Sequence, residues 1–386
     1  MIEQTETGYL ATIKVTEGMI RFAFEEIEQS KGGELTAETV VWREIPGVGM
    51  NPFSSRINTM SLSARETLRR ALDDAWGAAG WSRHIGQACS ELRSVWRSRE
   101  RDKWIEDARD PEPDRFRLEP YLLARGPTVW FGDAGTGKTT LALWCAKQLE
   151  SIVMWLDFEW EESEIKRLWT ALGGARDRLR YWNAEGGSLY DEAHGVRRDI
   201  RRTGAEYVII DSAAAAGDGE PEKSDVANRY FNALQKIGRP SLTIAHINNA
   251  GEDQRPFGSR FWYHRGRLLW NIKGDRETEG ELHQGFFCRK ANVGAWPAPF
   301  GILLAYGESE IAVTNGHLWG EFESSLPATT RIKKLLLSRG RMTRKGVAAA
   351  LEIKEDTARK ALQRVAVCDN PRSPHAEWYI TDGRAE

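Results

Sequence analysis

The 386-residue sequence lacks a strong charge of either sign: 54 Lys and Arg against 56 Asp and Glu leave a formal net charge of −2. Whole-chain attraction to nucleic acid is therefore excluded, and any such attraction has to be local. Cysteine is scarce. Cys89, Cys145, Cys288 and Cys368 form no C-x-x-C pair and no Cys/His ligand spacing, which excludes a disulfide framework and a zinc site. Reduced thiols in a cytoplasmic protein are expected. No apolar run approaches the roughly 20 residues of a membrane span, so no membrane partner is expected. The start, Met1-Ile-Glu-Gln-Thr-Glu-Thr7, is acidic without an apolar core, so no secretory signal is expected either. Internal repeats and low-complexity stretches are absent. Tryptophan, in contrast, is abundant, and its 16 copies are expected in cores and interfaces.

What is present is concentrated in Val129-Trp-Phe-Gly-Asp-Ala-Gly-Thr-Gly-Lys-Thr-Thr-Leu-Ala-Leu143. Gly132, Asp133, Ala134, Gly135, Thr136, Gly137, Lys138 and Thr139 match G-x-x-x-x-G-K-[ST] without a mismatch, and Thr140 follows. An apolar strand-like run precedes the motif. A helix-like run, Leu141 to Leu149, follows it, and that context converts a motif match into a structural claim. The glycines let backbone N–H groups close around anionic oxygens, and the helix points its positive end at them. Lys138 is expected to reach the β- and γ-phosphates of a nucleoside triphosphate, ATP, with the Thr139 hydroxyl on Mg2+.

The length allows two or three domains of roughly 150 residues. Residues 8–46 alternate as strands (Tyr9–Val15, Ile20–Phe24, Thr39–Trp42) with Gly32-Gly33 as a turn. A helix is expected from Ser61 to Trp76, capped by Ser61 or Ser63, and a charged helix over 82–108. Asp110-Pro-Glu-Pro113 reads as a linker. From Phe116 to Trp319, apolar strands alternate with helices: Thr128–Phe131, Ile152–Phe158, Tyr207–Ile210 and Leu242–Ala245. Each is a continuous apolar run, the pattern of strands buried on both faces of a parallel sheet. Leu268–Ile272 and Gln284–Cys288 are expected to extend that sheet in antiparallel fashion.

Asp211 ends the apolar run Tyr207-Val-Ile-Ile-Asp211, where a phosphate-loop protein needs a carboxylate to organise the metal. Ser212 follows it, so the base is not an adjacent glutamate. Asp157 and Glu159, at the end of the strand after the phosphate-loop helix, share one side of it by the two-residue period. Glu159 lies nearer the carboxyl end, where ligands of open α/β sheets sit, and is assigned as general base rather than as a mere helix cap.

The order of these elements resembles the RecA-like ATPases, in particular the hexameric plasmid and phage replicative helicases of the RepA type. The matching stretches are Leu156-Asp-Phe-Glu159, Val208-Ile-Ile-Asp-Ser212, Ala245-His-Ile-Asn248, Pro256-Phe-Gly-Ser-Arg-Phe-Trp262 and Arg289-Lys-Ala-Asn-Val-Gly294, within residues 117–318. The resemblance implies a RecA-like core with a mostly parallel sheet, ring or filament assembly, and ATP hydrolysis coupled to single-stranded DNA. It implies Glu159 as catalytic glutamate, Asp211 at the magnesium site, and His246 as the sensor linking the γ-phosphate to a DNA-facing loop. Arg289 and Lys290 would act on the neighbouring subunit's γ-phosphate. Two features depart from the pattern. Asn248-Asn249 stands where relatives often carry a Thr-Lys pair, and the loop after Asp211 is acidic (Asp218, Glu220, Glu222, Asp225). DNA contact is therefore expected on 248–260, through Arg255 and Arg260. The aromatics Phe257, Phe261, Trp262 and Tyr263 serve either base stacking or subunit packing.

After Leu326-Pro327 the sequence reads helix (Thr329–Arg339), helix (Thr343–Leu351), helix (Lys354–Val367) and short strand (Trp378–Ile380), a winged-helix signature. Between 328 and 366, eleven Lys/Arg face three acidic residues, a local balance of +8. Arg359, Lys360 and Arg364 on the third helix are the expected contacts to duplex DNA. The expected architecture is thus α/β: an α+β N-terminal domain over 1–112, a RecA-like core over 113–320, and a winged helix over 327–386. The expected function is a DNA helicase or translocase acting as a ring, most simply a hexamer, in replication. The rivals are a recombination or annealing ATPase that does not unwind and an ATP-switched DNA-binding regulator.

Overall fold

The computed structural model describes the chain except residues 6, 17, 31, 45–51, 100–104, 108–114, 160–161, 247–259, 276–278, 293, 295, 317, 319, 371–372, 374–375 and 381–386. The chain divides into two compact units, Met1–Pro111 and Glu112–Glu386. The first is an antiparallel meander of β1 (Ile2–Gln4), β2 (Gly8–Val15), β3 (Gly18–Gln29), β4 (Leu35–Glu44) and β5 (Phe53–Asn58), followed by α1 (Leu62–Trp76) and α2 (Trp81–Ser98). Strand β4 shows why the meander has an inner face: Leu35, Ala37, Thr39 and Val41 are buried in strict alternation. Helices α1 and α2 supply the rest of that core with Leu68, Leu72, Trp81, Ile85, Ala88 and Leu92. Ser61, not Ser63, is the cap of α1, its Oγ accepting from the Ala64 N–H at 3.3 Å.

Helix α2 ends at Ser98, about ten residues before the expected end. Its buried stripe runs Trp81, Ile85, Ala88, Cys89, Leu92, and beyond Trp96 the sequence is charged with no apolar position until Trp104. Without an apolar position to bury next, nothing outside local propensity carries the helix past Ser98, and the backbone is extended at Arg99; residues 100–104 and 108 lie outside the described residues. The expected linker at 110–113 lies outside the described residues.

The second unit opens with a two-stranded ladder, β6 (Phe116–Leu118) and β7 (Leu122–Leu123). The chain then alternates β8 (Pro127–Gly132), α3 (Lys138–Gln148), β9 (Val153–Asp157), α4 (Glu162–Ala171), β10 (Leu179–Asn183), α5 (Leu189–Thr203), β11 (Tyr207–Asp211), α6 (Ala213–Ala216), α7 (Ser224–Ile237) and β12 (Ser241–His246). After α8 (Arg260–Arg265) come β13 (Leu268–Asp275), β14 (Glu281–Ala291), β15 (Phe300–Tyr306) and β16 (Ile311–Gly316). These strands form one nine-stranded sheet in the order β10-β9-β11-β12-β8-β13-β14-β15-β16. Pairings from β10 through β13 are parallel and those from β13 through β16 antiparallel. The sheet is mixed and mostly parallel, in keeping with the α/β core expected. One expectation needs correction: Leu268–Ile272 pairs with β8 in parallel, Leu268 beside Thr128. An apolar run has no direction of its own, so the sequence pattern does not fix how it pairs.

Strands β8, β9, β11 and β12 are buried along their lengths because the sheet is covered on both sides. One core holds Trp130, Trp155 and Tyr207 against α3 and α4; the other holds Phe131, Leu156 and Ile210 against α5 and α7. The phosphate-loop strand β8 sits between β12 and β13, and Asp157, Asp211 and His246 all end neighbouring parallel strands at the same edge.

The C-terminal part has its own small core around Ile332, Leu336, Val347, Ala358 and Leu362. It comprises α9 (Ala328–Arg339), β17 (Met342–Thr343), α10 (Arg344–Ala350), α11 (Glu355–Val365), β18 (Val367–Cys368) and β19 (Glu377–Tyr379), the strands ordered β17-β19-β18. No helix among the described residues is long and apolar enough to cross a membrane.

Candidate functional site

Between β8 and α3 the backbone turns back on itself. Gly135 and Gly137 both occupy the left-handed region, with φ of 74° and 72°. That conformation lets consecutive N–H groups converge on one point, a concavity suited to an anion at the start of α3. A Cβ on Gly137 would stand 2.7 Å from Leu282 Cδ2 and 2.9 Å from Leu304 Cδ1, so the loop also needs glycine for closeness. Gly137→Ala is therefore expected to combine backbone strain with overpacking, at a cost of roughly 2 kcal/mol or more. Urea unfolding of the nucleotide-free protein reads that loss directly.

Lys138 is buried, and its Nζ donates to Gly132 O (3.0 Å), Asp133 O (2.6 Å) and Thr136 Oγ1 (3.2 Å). Burial lowers its pKa to about 8, while the carboxylates of Asp211, Asp133 and Glu159 oppose that shift. The Thr139 hydroxyl donates to Asp211 Oδ2 at 2.7 Å, joining the two residues expected to share a metal. Asp211 is buried, and desolvation, aided by the Glu159 and Asp157 charges, raises its carboxyl to about 7 against the pull of Thr139 and Lys138. Three carboxylates around one ammonium leave negative charge in excess. A hydroxyl plus carboxylates is a hard oxygen donor set, so these residues fit Mg2+ together with the phosphates the loop would hold.

Glu159 lies just past β9, its backbone N–H donating to Asp157 Oδ1 at 2.9 Å. Its carboxylate accepts from the Ser212 hydroxyl, and His246 Nε2 lies 3.9 Å from Oε1, an ion-pair separation rather than a hydrogen bond. The His246 imidazole above all, then Ser212 and Lys138, hold Glu159 below the usual carboxylate range against the effect of burial. A base with a lowered pKa stays ionised as pH falls, losing activity only below its own pKa. Removing His246 lets that pKa rise. His246→Ala is accordingly expected to move the acid limb of the hydrolysis–pH profile, which lies below about pH 4.5 in the parent, to higher pH, as a turnover series extended down to about pH 3 would show.

The other expected site residues are placed as follows. Arg289 is half-buried on β14, its Nη2 donating to Asn271 Oδ1 at 3.2 Å and its guanidinium 5.5 Å from the Phe287 ring centre. Its Nε has no hydrogen-bond partner among the described residues. Lys290 is committed locally: Nζ donates to the carbonyls of Tyr263 (3.0 Å), His264 (2.7 Å) and Gly266 (2.8 Å), closing the end of α8. Arg260 is exposed at the start of α8, and Arg255 lies outside the described residues, as do Asn248, Asn249 and Phe257. Of the aromatics, Trp262 is buried against Tyr230 and Phe231, whereas Phe261 is exposed. On α11, Arg359 and Lys360 both pair with Asp356 at 2.7 Å, and Arg364 is exposed in the last turn.

Several site residues escape sequence reasoning. Gln284 is fully buried on β14 and its Nε2 donates to Thr136 O, bracing the phosphate loop from the antiparallel side. Asn271 is buried, donating to Phe131 O at 3.4 Å while accepting from Arg289. Lys273, half-buried on β13, is close enough to Arg289 and Asp133 for both to act on its charge. The available signal was a single polar residue in each apolar run: Asn271 in Leu-Leu-Trp-Asn-Ile and Gln284 before Gly-Phe-Phe. Ser212 carried no signal beyond its place after Asp211.

Residues 96–252 match the sequence model of the family described as AAA domain. A search of curated proteins gives no significant match. Among solved structures, a KaiC-like protein from the archaeon Pyrococcus horikoshii is similar at 14% identity and a TM-score of 0.40, over 50% of this chain and 91% of that one. The AAA-domain match spans the phosphate loop, Glu159, Asp211 and His246, and with their geometry it supports a P-loop ATPase core.

Proposed function

We propose that this chain is an ATP-dependent DNA helicase or translocase that works on single-stranded DNA in replication, assembled as a ring, most simply a hexamer. The observation that carries this reading is the position of Glu159 between two strand ends. Its carboxylate meets Ser212, where the chain leaves β11 for the acidic loop, and His246, where β12 runs into 247–259. A base tied to the root of the expected DNA-facing segment is what coupling of hydrolysis to DNA requires.

In this scheme the loop N–H groups and Lys138 hold the triphosphate, and Thr139 and Asp211 would hold Mg2+. When bound, the ion would neutralise charge that develops on the phosphate oxygens in the transition state. Glu159 orients a water and takes its proton as the oxygen attacks the γ-phosphorus, and the bond to the β–γ bridging oxygen breaks. Arg289, whose guanidinium is only partly satisfied, is the better of the two candidate trans cations; Lys290 would first have to leave its carbonyls. His246 would report the state of the γ-phosphate to 247–259. Arg260 and Arg255 would contact the single strand. The C-terminal part would act as a winged helix, with α11 offering Arg364 freely and Arg359 and Lys360 after release from Asp356.

A second reading, the ATP-switched DNA-binding regulator, is favoured by the exposed acidic stretch after α6. Asp218, Glu220 and Glu222 are all exposed there, which repels a phosphate backbone. Strand displacement on a forked duplex distinguishes the readings. Unwinding that needs ATP and fails in Lys138→Ala supports the motor. Tight, sequence-specific duplex binding without unwinding supports the regulator, and ATP-dependent pairing of strands without unwinding supports the annealing rival.

A further inference from the structure

Ser212 occupies the position before α6 that normally caps a helix, yet its side chain makes no capping hydrogen bond. A serine there ordinarily satisfies one of the first free N–H groups of the helix. This one is fully buried, and its hydroxyl instead donates to Glu159 Oε1 across the gap between β11 and β9. The backbone on both sides is already fixed. Phe158 N–H donates to Asp211 O at 2.7 Å, and Glu159 N–H to Asp157 Oδ1 at 2.9 Å. What these bonds leave undetermined is the rotation of the Glu159 side chain. Ser212 contacts Oε1, and His246 approaches the same oxygen from β12, so both contacts act on one oxygen of the carboxylate.

We propose that Ser212 is a positioning residue that sets the Glu159 carboxylate for proton abstraction, giving up its helix cap to do so. The proposal rests on the reading of Glu159 as the general base. It also explains why a small hydroxyl residue, rather than a second carboxylate, follows Asp211. A carboxylate there would add a fourth negative group to a pocket that already holds Asp157, Glu159 and Asp211, whereas a hydroxyl orients without adding charge. Because the hydroxyl acts on the base and does not touch the phosphate loop, it bears on turnover and not on binding.

The test uses the full-length chain with Ser212→Ala, Ser212→Thr and Glu159→Gln, alone and as the Ser212→Ala/Glu159→Gln double variant. Turnover is measured alongside the affinity for a fluorescent ATP analogue with Mg2+. Ser212→Ala is expected to lower kcat roughly tenfold or more, the worth of a hydrogen bond to a charged group, with analogue affinity within about twofold of the parent. Ser212→Thr, which keeps the hydroxyl, is expected to recover most of the loss. In the Glu159→Gln background the alanine change should add nothing to the residual rate, because its effect passes through the missing base. The proposal is overturned by a parent-like kcat in Ser212→Ala, by affinity falling in step with kcat, or by a further full loss in the double variant. Failure of the underlying reading looks different: Glu159→Gln itself then turns over like the parent.

Discussion

Lys138→Ala is expected to abolish nucleotide binding and hydrolysis together, lowering kcat/KM by roughly a thousandfold. The side chain is 5% exposed, and its three hydrogen bonds are to oxygens of the loop itself, so the ammonium waits at the centre of the cradle. Burial brings its pKa only to about 8, because Asp211, Asp133 and Glu159 stand around it, and at neutral pH it therefore carries its charge. Phosphate oxygens would replace the loop carbonyls as its acceptors. Alanine leaves the left-handed glycines to hold a triphosphate on N–H dipoles alone. Calorimetric titration with a non-hydrolysable analogue checks this: the parent should bind and the variant should give no measurable heat. An arginine at the same position is not expected to rescue, since its planar fork cannot replace a compact ammonium in a buried cradle.

Glu159→Gln is expected to separate binding from chemistry. The carboxamide keeps the shape and can still accept from Ser212, but it cannot take a proton, so kcat should fall by about 10²–10⁴-fold with analogue affinity preserved. The contrast with Lys138→Ala is the informative part. One variant loses the ligand and the other holds it without turnover. Single-turnover hydrolysis at saturating nucleotide separates the two, because slow binding cannot then imitate slow chemistry. Asp157→Asn should behave differently again. Asp157 accepts from the Glu159 N–H and from the Tyr181 hydroxyl at 3.2 Å, so its place is in the backbone turn beneath the base.

The parts of this site that were legible in the sequence are those whose chemistry is contiguous. The phosphate loop is eight consecutive residues, and Asp211 and Glu159 each close an apolar run whose end a ligand must face. The four buried parallel strands were readable because double-sided burial demands unbroken apolar residues. Edge strands carry no such demand: β10, with Arg180 and Asn183 exposed, and β16, exposed along most of its length, both resemble loop sequence. Pairing direction was not readable for β13, since an apolar run looks the same in either orientation. Contacts across the sheet were also out of reach. The Lys290 cap on α8 and the Gln284 brace on Thr136 join residues 24 or more positions apart. The pairing of Asp356 with Arg359 and Lys360, in contrast, has helical spacing of three and four and was available from the sequence.

The most direct test of the account is steady-state ATP turnover by the full-length protein with and without a single-stranded oligonucleotide, with Glu159→Gln as control. The account predicts strong stimulation by the single strand in the parent and little turnover in the variant under either condition. Slow turnover indifferent to DNA, or a variant as active as the parent, would contradict it.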